Sequence, residues 1–207
     1  MSQEALIIFQ KNPTKGLVKT RLASTVGDEL ALSIYTFLLR KTFEEVEQIP
    51  QEKMVFFSDF IPGNNPYPNH SLFLQEGVDL GEKMKNAFQK IFSMGFQKAV
   101  IIGTDCPELP HEFLNQAFNL LNQSDLVIGP AADGGYYLLG MKSAHSCLFQ
   151  GIKWSTSQVF SRTLEQANHH NLTFSLLPTL HDIDEEEDWM RFITQNPIYG
   201  KLPGYHH

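Results

Sequence analysis

Four short stretches of this sequence concentrate side chains able to hold a cation, grip an anion or move a proton. The first places Lys11, Lys15, Lys19 and Arg21 around Pro13 and Gly16. Cations and free backbone N–H groups in such a loop can hold phosphate oxygens. Its spacing is neither that of a Walker A loop nor that of a dinucleotide-binding fingerprint. The second is Gly-Thr-Asp-Cys-Pro-Glu-Leu at 103–109, in which Asp105 closely follows an apolar run and Thr104 adds a hydroxyl. A carboxylate there suits Mg²⁺ or Mn²⁺, which take one or two protein carboxylates and complete their shell with substrate oxygens. The third is Asp133-Gly134-Gly135, where paired glycines permit positive φ and close approach of a ligand to the backbone. The fourth is the acidic run at 181–188, in which Asp182 and Asp184 repel their neighbours unless a cation or solvent relieves them. A metal bridging Asp105 and one of these aspartates would use that repulsion for binding.

Each stretch also has a purely local explanation. The basic segment could be a solvated surface loop. Asp105 could serve an Asx-turn or a helix cap, Asp133-Gly134 a tight turn, and the acidic run the dipole at a helix start. Two weaker signals are Asp79, which with Glu82 and Lys83 could read a base or ribose, and Trp154-Ser155-Thr156, which could stack on or hydrogen-bond an acceptor. Neither H-E-x-x-H nor G-x-S-x-G occurs, so zinc-protease and serine-hydrolase chemistry find no support.

The elements that must position these residues follow from hydrophobic spacing. Short apolar runs predict strands at 5–9, 53–58, 71–75, 99–103, 126–129, 136–141 and 173–177. Helical spacing predicts helices over 28–48, 81–93, 111–122, 157–169 and 184–194, the last with Asp184 as its N-cap. Residues 10–20 and the proline-rich 62–70 are expected to be loops. Strands alternating with helices imply an α/β fold: a mostly parallel central sheet with helices on both faces. Ligands of such sheets bind beyond the carboxyl ends of the strands, which is where the basic loop and Asp105 fall. One domain is expected over 1–200, with a loose tail at 201–207.

Bulk properties narrow the function. A net charge of −7 without a basic cluster argues against a nucleic-acid partner. The two cysteines have neither metal spacing nor a disulfide framework, which suits a reducing cytoplasm. The N-terminal apolar run is too short for a signal sequence or a membrane span.

Taken together, the motifs resemble a bacterial family of GT-A-like transferases commonly labelled arsenosugar-biosynthesis glycosyltransferases. The resemblance rests on K-x-P-x-x-G-x-V-K-T-R-L at 11–22, D-L-G-E-K-M at 79–84, G-T-D-C-P-E-L at 103–109, G-P-A-x-D-G-G-Y-Y-L-x-G at 129–140, W-S-T at 154–156 and D-I-D-x-x-E-D at 182–188. It implies the nucleotide-diphospho-sugar transferase fold, with Asp105 as the metal aspartate and Lys11, Lys19 and Arg21 on phosphates. Asp184 matches the aspartate of a D-x-D-T-P-E-D-L ending in related nucleotidylyltransferases, where it supports metal or product binding. Here Glu185 and Glu186 stand in place of the Thr-Pro common in the family, making the helix start more acidic and less rigid.

The expected activity is a Mg²⁺- or Mn²⁺-dependent transferase that binds a nucleotide or nucleotide-sugar and a small-molecule acceptor. In the leading reading it is a glycosyltransferase. Asp105 and Asp184 hold the metal, Asp79 and Thr104 join the nucleotide contacts, Asp133 is the general base, and Gly134, Gly135, Trp154 and Ser155 line the acceptor side. The alternatives are a nucleotidylyltransferase that releases pyrophosphate and a non-catalytic nucleotide-binding module. A homodimer is the commonest assembly for such enzymes, though nothing in the sequence compels it.

Overall fold

Apolar residues that alternate along β1 (Glu4–Gln10) bury opposite faces of one sheet, and the rest of the chain is wound around that strand. The computed structural model describes residues 3–200; the tail read at 201–207 lies outside them. After β1 come α1 (Thr20–Val26), α2 (Asp28–Val46), β2 (Glu52–Phe57), β3 (Ser71–Leu74), α3 (Leu80–Ser93), β4 (Lys98–Ile102) and α4 (His111–Leu120). Then follow β5 (Leu126–Pro130), β6 (Tyr136–Met141), α5 (Val159–His169), β7 (Phe174–Leu176) and α6 (Glu186–Gln195).

The sheet order is β3-β2-β1-β4-β6-β5-β7. All neighbours pair in parallel except β6, which is antiparallel to both β4 and β5. This is the expected single-domain α/β architecture. Ala5 and Ile7 pack on one face with Met84, Phe88 and Ile91 of α3, whereas Leu6 and Ile8 pack on the other with Leu114 and Phe118 of α4. The chain leaves β1 toward β2 and β3, then crosses back to place β4 on its other side. The strand order therefore reverses between β1 and β4, and their carboxyl ends open a crevice.

The differences from the sequence-based expectation are local. Residues 20–26 form α1, a helix too short for its periodicity to register against the preceding loop. The last helix begins at Glu186 rather than Asp184, and its N-cap is Glu185. Asp188 one turn in accepts the N–H groups of Glu185 (2.9 Å) and Asp184 (3.1 Å). The cap is thus made without the Asp184 side chain, which is left for another partner.

A third core joins this C-terminal helix to the site-bearing first half. Leu22 of α1, Ile34, Phe37 and Leu38 of α2, and Trp189, Phe192 and Ile193 of α6 form one buried cluster, with Trp189 edge-on to Phe37 at 5.8 Å between ring centroids. Trp189→Ala empties the centre of that cluster and is expected to cost about 3–5 kcal/mol of stability, read from urea unfolding. A loss under about 1 kcal/mol would show that α6 is not held by this packing.

Candidate functional site

The loop after β1 and the loop after β4 meet over the crevice through the side chain of Lys19. Its ammonium lies 2.6 Å from Asp105 Oδ1 and 3.1 Å from Asp184 Oδ1. Arg21, two residues on, lies 3.6 Å from Asp184 Oδ2 and pairs with Glu185. Three segments distant in sequence therefore converge on one ammonium group. Lys19 itself adopts φ 47°, ψ 46° just before α1. This left-handed conformation costs a residue with a β-carbon about 1–2 kcal/mol and persists only where its surroundings fix it; the two ion pairs supply that constraint. Burial alone would lower the Lys19 pKa, but the Asp105 and Asp184 carboxylates more than offset it, and the group is raised above an ordinary lysine.

Backbone contacts set the acidic side chains in place. The Ile183 N–H donates to the Asp105 carbonyl at 2.9 Å, which ties the 182–184 segment to the end of β4. Ala132 donates to the Leu180 carbonyl, and the Tyr137 hydroxyl to that of Pro178, so the same segment also runs along the end of β5. Asp182 is consequently crowded. Burial, then the Asp105 charge, push its carboxyl up; Lys19 opposes this, and Asp133 and Asp184 add to it. The result is about 7 instead of 3.8. Asp182 is the member of the cluster whose weight the sequence does not disclose. Its motif shows two aspartates, and only the fold shows which one is hemmed in by the others.

Asp133 keeps part of its local role. Its Oδ1 accepts the Gly135 N–H at 2.8 Å in an Asx-type turn. Gly134 sits at φ +91°, and a β-carbon there would lie 2.1 Å from the Ser157 carbonyl, so this loop packs directly on the start of α5. On the other side, Thr104 is buried and its hydroxyl lies 3.4 Å from that of Tyr35. Tyr35 also accepts the Lys11 N–H and donates to the Lys11 carbonyl, at 2.9 and 3.0 Å. One hydroxyl from α2 thus joins the β1 loop to the residue before Asp105. Helical periodicity in the sequence marks Tyr35 as inward-facing and gives no hint of this link. Buried Asn12 similarly pins the β1 loop to residues 58–60 after β2.

Lys11 and Arg21 are exposed at this edge. The remaining expected residues have other partners. Asp79 caps α3, accepting the Glu82 N–H at 2.8 Å. Trp154 lies against Gly81, where a β-carbon would come within 2.1 Å of the indole, and its ring stacks on Phe149. Ser155 is exposed with φ 59°. Among the described residues, no hydrogen bond or ion pair links Asp79, Trp154 or Ser155 to the aspartate cluster. Among the described residues, one set of three acidic or histidine side chains brings its ligand atoms within 4.8 Å of one another: Glu45, His111 and Glu112. That set has a helix-capping explanation, since Glu45 Oε2 accepts the His111 N–H and touches its ring Nδ1, both at 2.9 Å, at the start of α4.

Comparison with known proteins agrees with this architecture. Residues 50–156 match a family described as "Uncharacterized protein conserved in bacteria (DUF2064)". A protein from Desulfovibrio desulfuricans G20, whose crystal structure is described as that of a "putative nucleotide-diphospho-sugar transferase", is 31% identical. The match covers 99% of this chain and 93% of that one, with a TM-score of 0.89. The inositol-1-phosphate CTP transferase from T. maritima shares the fold at 15% identity, with 98% of each chain covered and a TM-score of 0.61. The manganese complex of Rv0371C from Mycobacterium tuberculosis H37Rv shares it at 10% identity, with 93% and 99% covered and a TM-score of 0.57. No curated protein matches in sequence.

The crowding of Asp182 has a pH consequence. A carboxyl whose folded pKa exceeds its unfolded value stabilises the fold fully below the unfolded value, and that contribution is lost as pH rises through the folded one. Between about pH 4 and 7 the metal-free protein is therefore expected to lose about 2–4 kcal/mol. Urea unfolding compared with Asp182→Asn isolates this component. Parallel pH profiles for parent and variant would show that Asp182 ionises freely.

Proposed function

This chain belongs to the DUF2064 family of bacterial proteins, and from that premise we propose that it is a nucleotide-dependent transferase, a glycosyltransferase that draws on a nucleotide-sugar donor. The observation that carries this reading is the convergence of Asp105, Asp184 and Lys19 over the β1–β4 crevice. The D. desulfuricans relative, aligned over 99% of this chain, bears a name that points to the same chemistry.

The donor set fits a hard divalent cation. It consists of carboxylates, two of which, Asp105 and Asp184, share the single ammonium of Lys19. Asp105 and Asp184 would hold Mg²⁺ or Mn²⁺, with Asp182 as a further donor, and the metal would supply positive charge to the departing diphosphate. Manganese is found with the M. tuberculosis protein of the same fold. The chain's own groups do the rest. Arg21, with 67% of its side chain exposed, offers a guanidinium to phosphate oxygens, and Lys11 presents an ammonium from the same loop. Asp133 uses Oδ1 to shape its turn, and its carboxylate would accept a proton from an acceptor hydroxyl. The turn at Gly134 and Gly135 brings backbone close to that acceptor, with exposed Ser155 nearby in sequence to the packed start of α5. The enzyme would work in the reducing cytoplasm, where Cys106 and Cys147 stay thiols, as a homodimer.

Nucleotidylyl transfer is the second reading. It is favoured by the exposed Lys11, Lys15 and Arg21 on one loop, a cation density suited to a triphosphate. The T. maritima enzyme named for CTP transfer shares this fold over 98% of its chain.

Incubation with Mn²⁺, a panel of nucleotide-sugars and nucleoside triphosphates, and small hydroxylated or phosphorylated acceptors separates these readings. Released nucleoside diphosphate is expected. Released pyrophosphate would replace the first reading with the second. No turnover and no thermal shift with any nucleotide would leave a non-catalytic module. Asp105→Ala is expected to stay folded, to lose its metal-dependent thermal shift and to fall on the order of 100-fold in activity.

A further inference from the structure

The two cations of the site stand at different depths. The Lys19 side chain is 4% exposed, that of Arg21 67%, and those of Asp105 and Asp184 44% and 46%. From core to solvent the order is ammonium, carboxylates, crevice. A phosphate arriving from solvent meets Arg21 and the open faces of the carboxylates first. To reach the Lys19 ammonium it would have to displace both of its partners and leave them facing each other. We propose that Lys19 is a positioning residue, the buried counter-ion that sets the spacing of Asp105 and Asp184 for a divalent cation, and that phosphate binding falls to the exposed cations of the loop, Arg21 foremost, and not to Lys19. The proposal rests on reading those aspartates as the metal site.

Two further observations support it. Asp105 and Asp184 come from separate segments, one after β4 and one before α6, and like charges brought together would repel each other. A single ammonium contacting Oδ1 of each holds them in place and cancels one of their two charges. Lys19 is also held by its backbone: a left-handed residue between a loop and α1, three residues before buried Leu22 in the α1–α2–α6 core, has little freedom to swing its side chain into the crevice. Arg21 lies on the same short helix and has no such constraint, since its guanidinium reaches Asp184 and Glu185 from the solvent side.

The test uses two probes on the full chain. Binding of Mn²⁺ alone is followed by the loss of free-ion paramagnetic signal, and binding of inorganic pyrophosphate in EDTA by calorimetry. Lys19→Met is expected to weaken Mn²⁺ at least tenfold and to leave pyrophosphate affinity within about twofold of the parent. Arg21→Met is expected to do the reverse. If Lys19→Met keeps or gains Mn²⁺ affinity, the lysine competes with metal and the proposal falls. If it loses pyrophosphate as Arg21→Met does, Lys19 is a phosphate ligand and the proposal falls equally. Should Lys19→Met not fold, reductive methylation of the parent, read by mass spectrometry, decides the matter. Lys19 is expected to stay protected, with Lys11 and Lys15 labelled, whether the protein is free, with Mg²⁺ or with pyrophosphate; labelling of Lys19 in any of these states would overturn the proposal. A parent that binds neither probe would overturn the metal reading and this inference together, whereas a parent that binds both, with an unaffected Lys19→Met, would overturn this inference alone.

Discussion

A buried ammonium is tolerable only with negative partners close by, and in this protein that requirement ties three parts of the chain together. Lys19 closes the loop after β1, Asp105 lies in the loop after β4, and Asp184 precedes α6. Satisfying one lysine draws the C-terminal helix over the crevice at the centre of the sheet. The apolar cluster of α1, α2 and α6 supports the same arrangement from behind, so electrostatics at the rim and packing beneath it favour one placement. The left-handed backbone at Lys19 is the local cost of that placement.

Around this knot, polar links of modest individual strength fix the loops. The Tyr35 hydroxyl connects Lys11 to Thr104, Asn12 connects the β1 loop to the β2 loop, and the Tyr137 hydroxyl holds the turn at Pro178 that leads into Asp182. Each such bond contributes on the order of 1 kcal/mol, yet each spans sequence-distant segments. The rim of the crevice is therefore braced from several directions, as a site that must present charges at set positions requires.

The acidic side of the crevice carries more charge than Lys19 can balance. Burial first, and then the charges of Asp105, Asp133 and Asp184, raise the Asp182 carboxyl against the pull of Lys19. A structure built only for stability would not gather these groups, because each added carboxylate makes the next harder to ionise. A site that recruits a cation and a phosphorylated ligand gains from the same excess, and this reconciles the local electrostatic cost with the transferase reading.

The strands and helices of the α/β fold were legible because their signal is local: short apolar runs in β1, β4 and β6 and the 3.6-residue period of α2 and α3 are readable within a few turns of chain, whereas the strand order, with β6 antiparallel to its neighbours, came only from the tertiary structure. The basic and acidic stretches could be picked out for a related reason, since residue type and position at strand ends already suggest chemistry. What sequence could not supply was depth and adjacency. It listed Lys19 and Arg21 alike as phosphate contacts, but burial separates them; it offered Asp184 as a helix cap, but Glu185 is the N-cap and pairs with Asp188 in a capping box, which leaves Asp184 to Lys19. It read Trp154 and Asp79 for possible ligands and did not reveal that one packs on Gly81 and the other caps α3. Spacing along a chain fixes which face a side chain occupies, whereas solvent exposure and the nearest opposite charge depend on segments a hundred or so residues away, and only tertiary packing sets those.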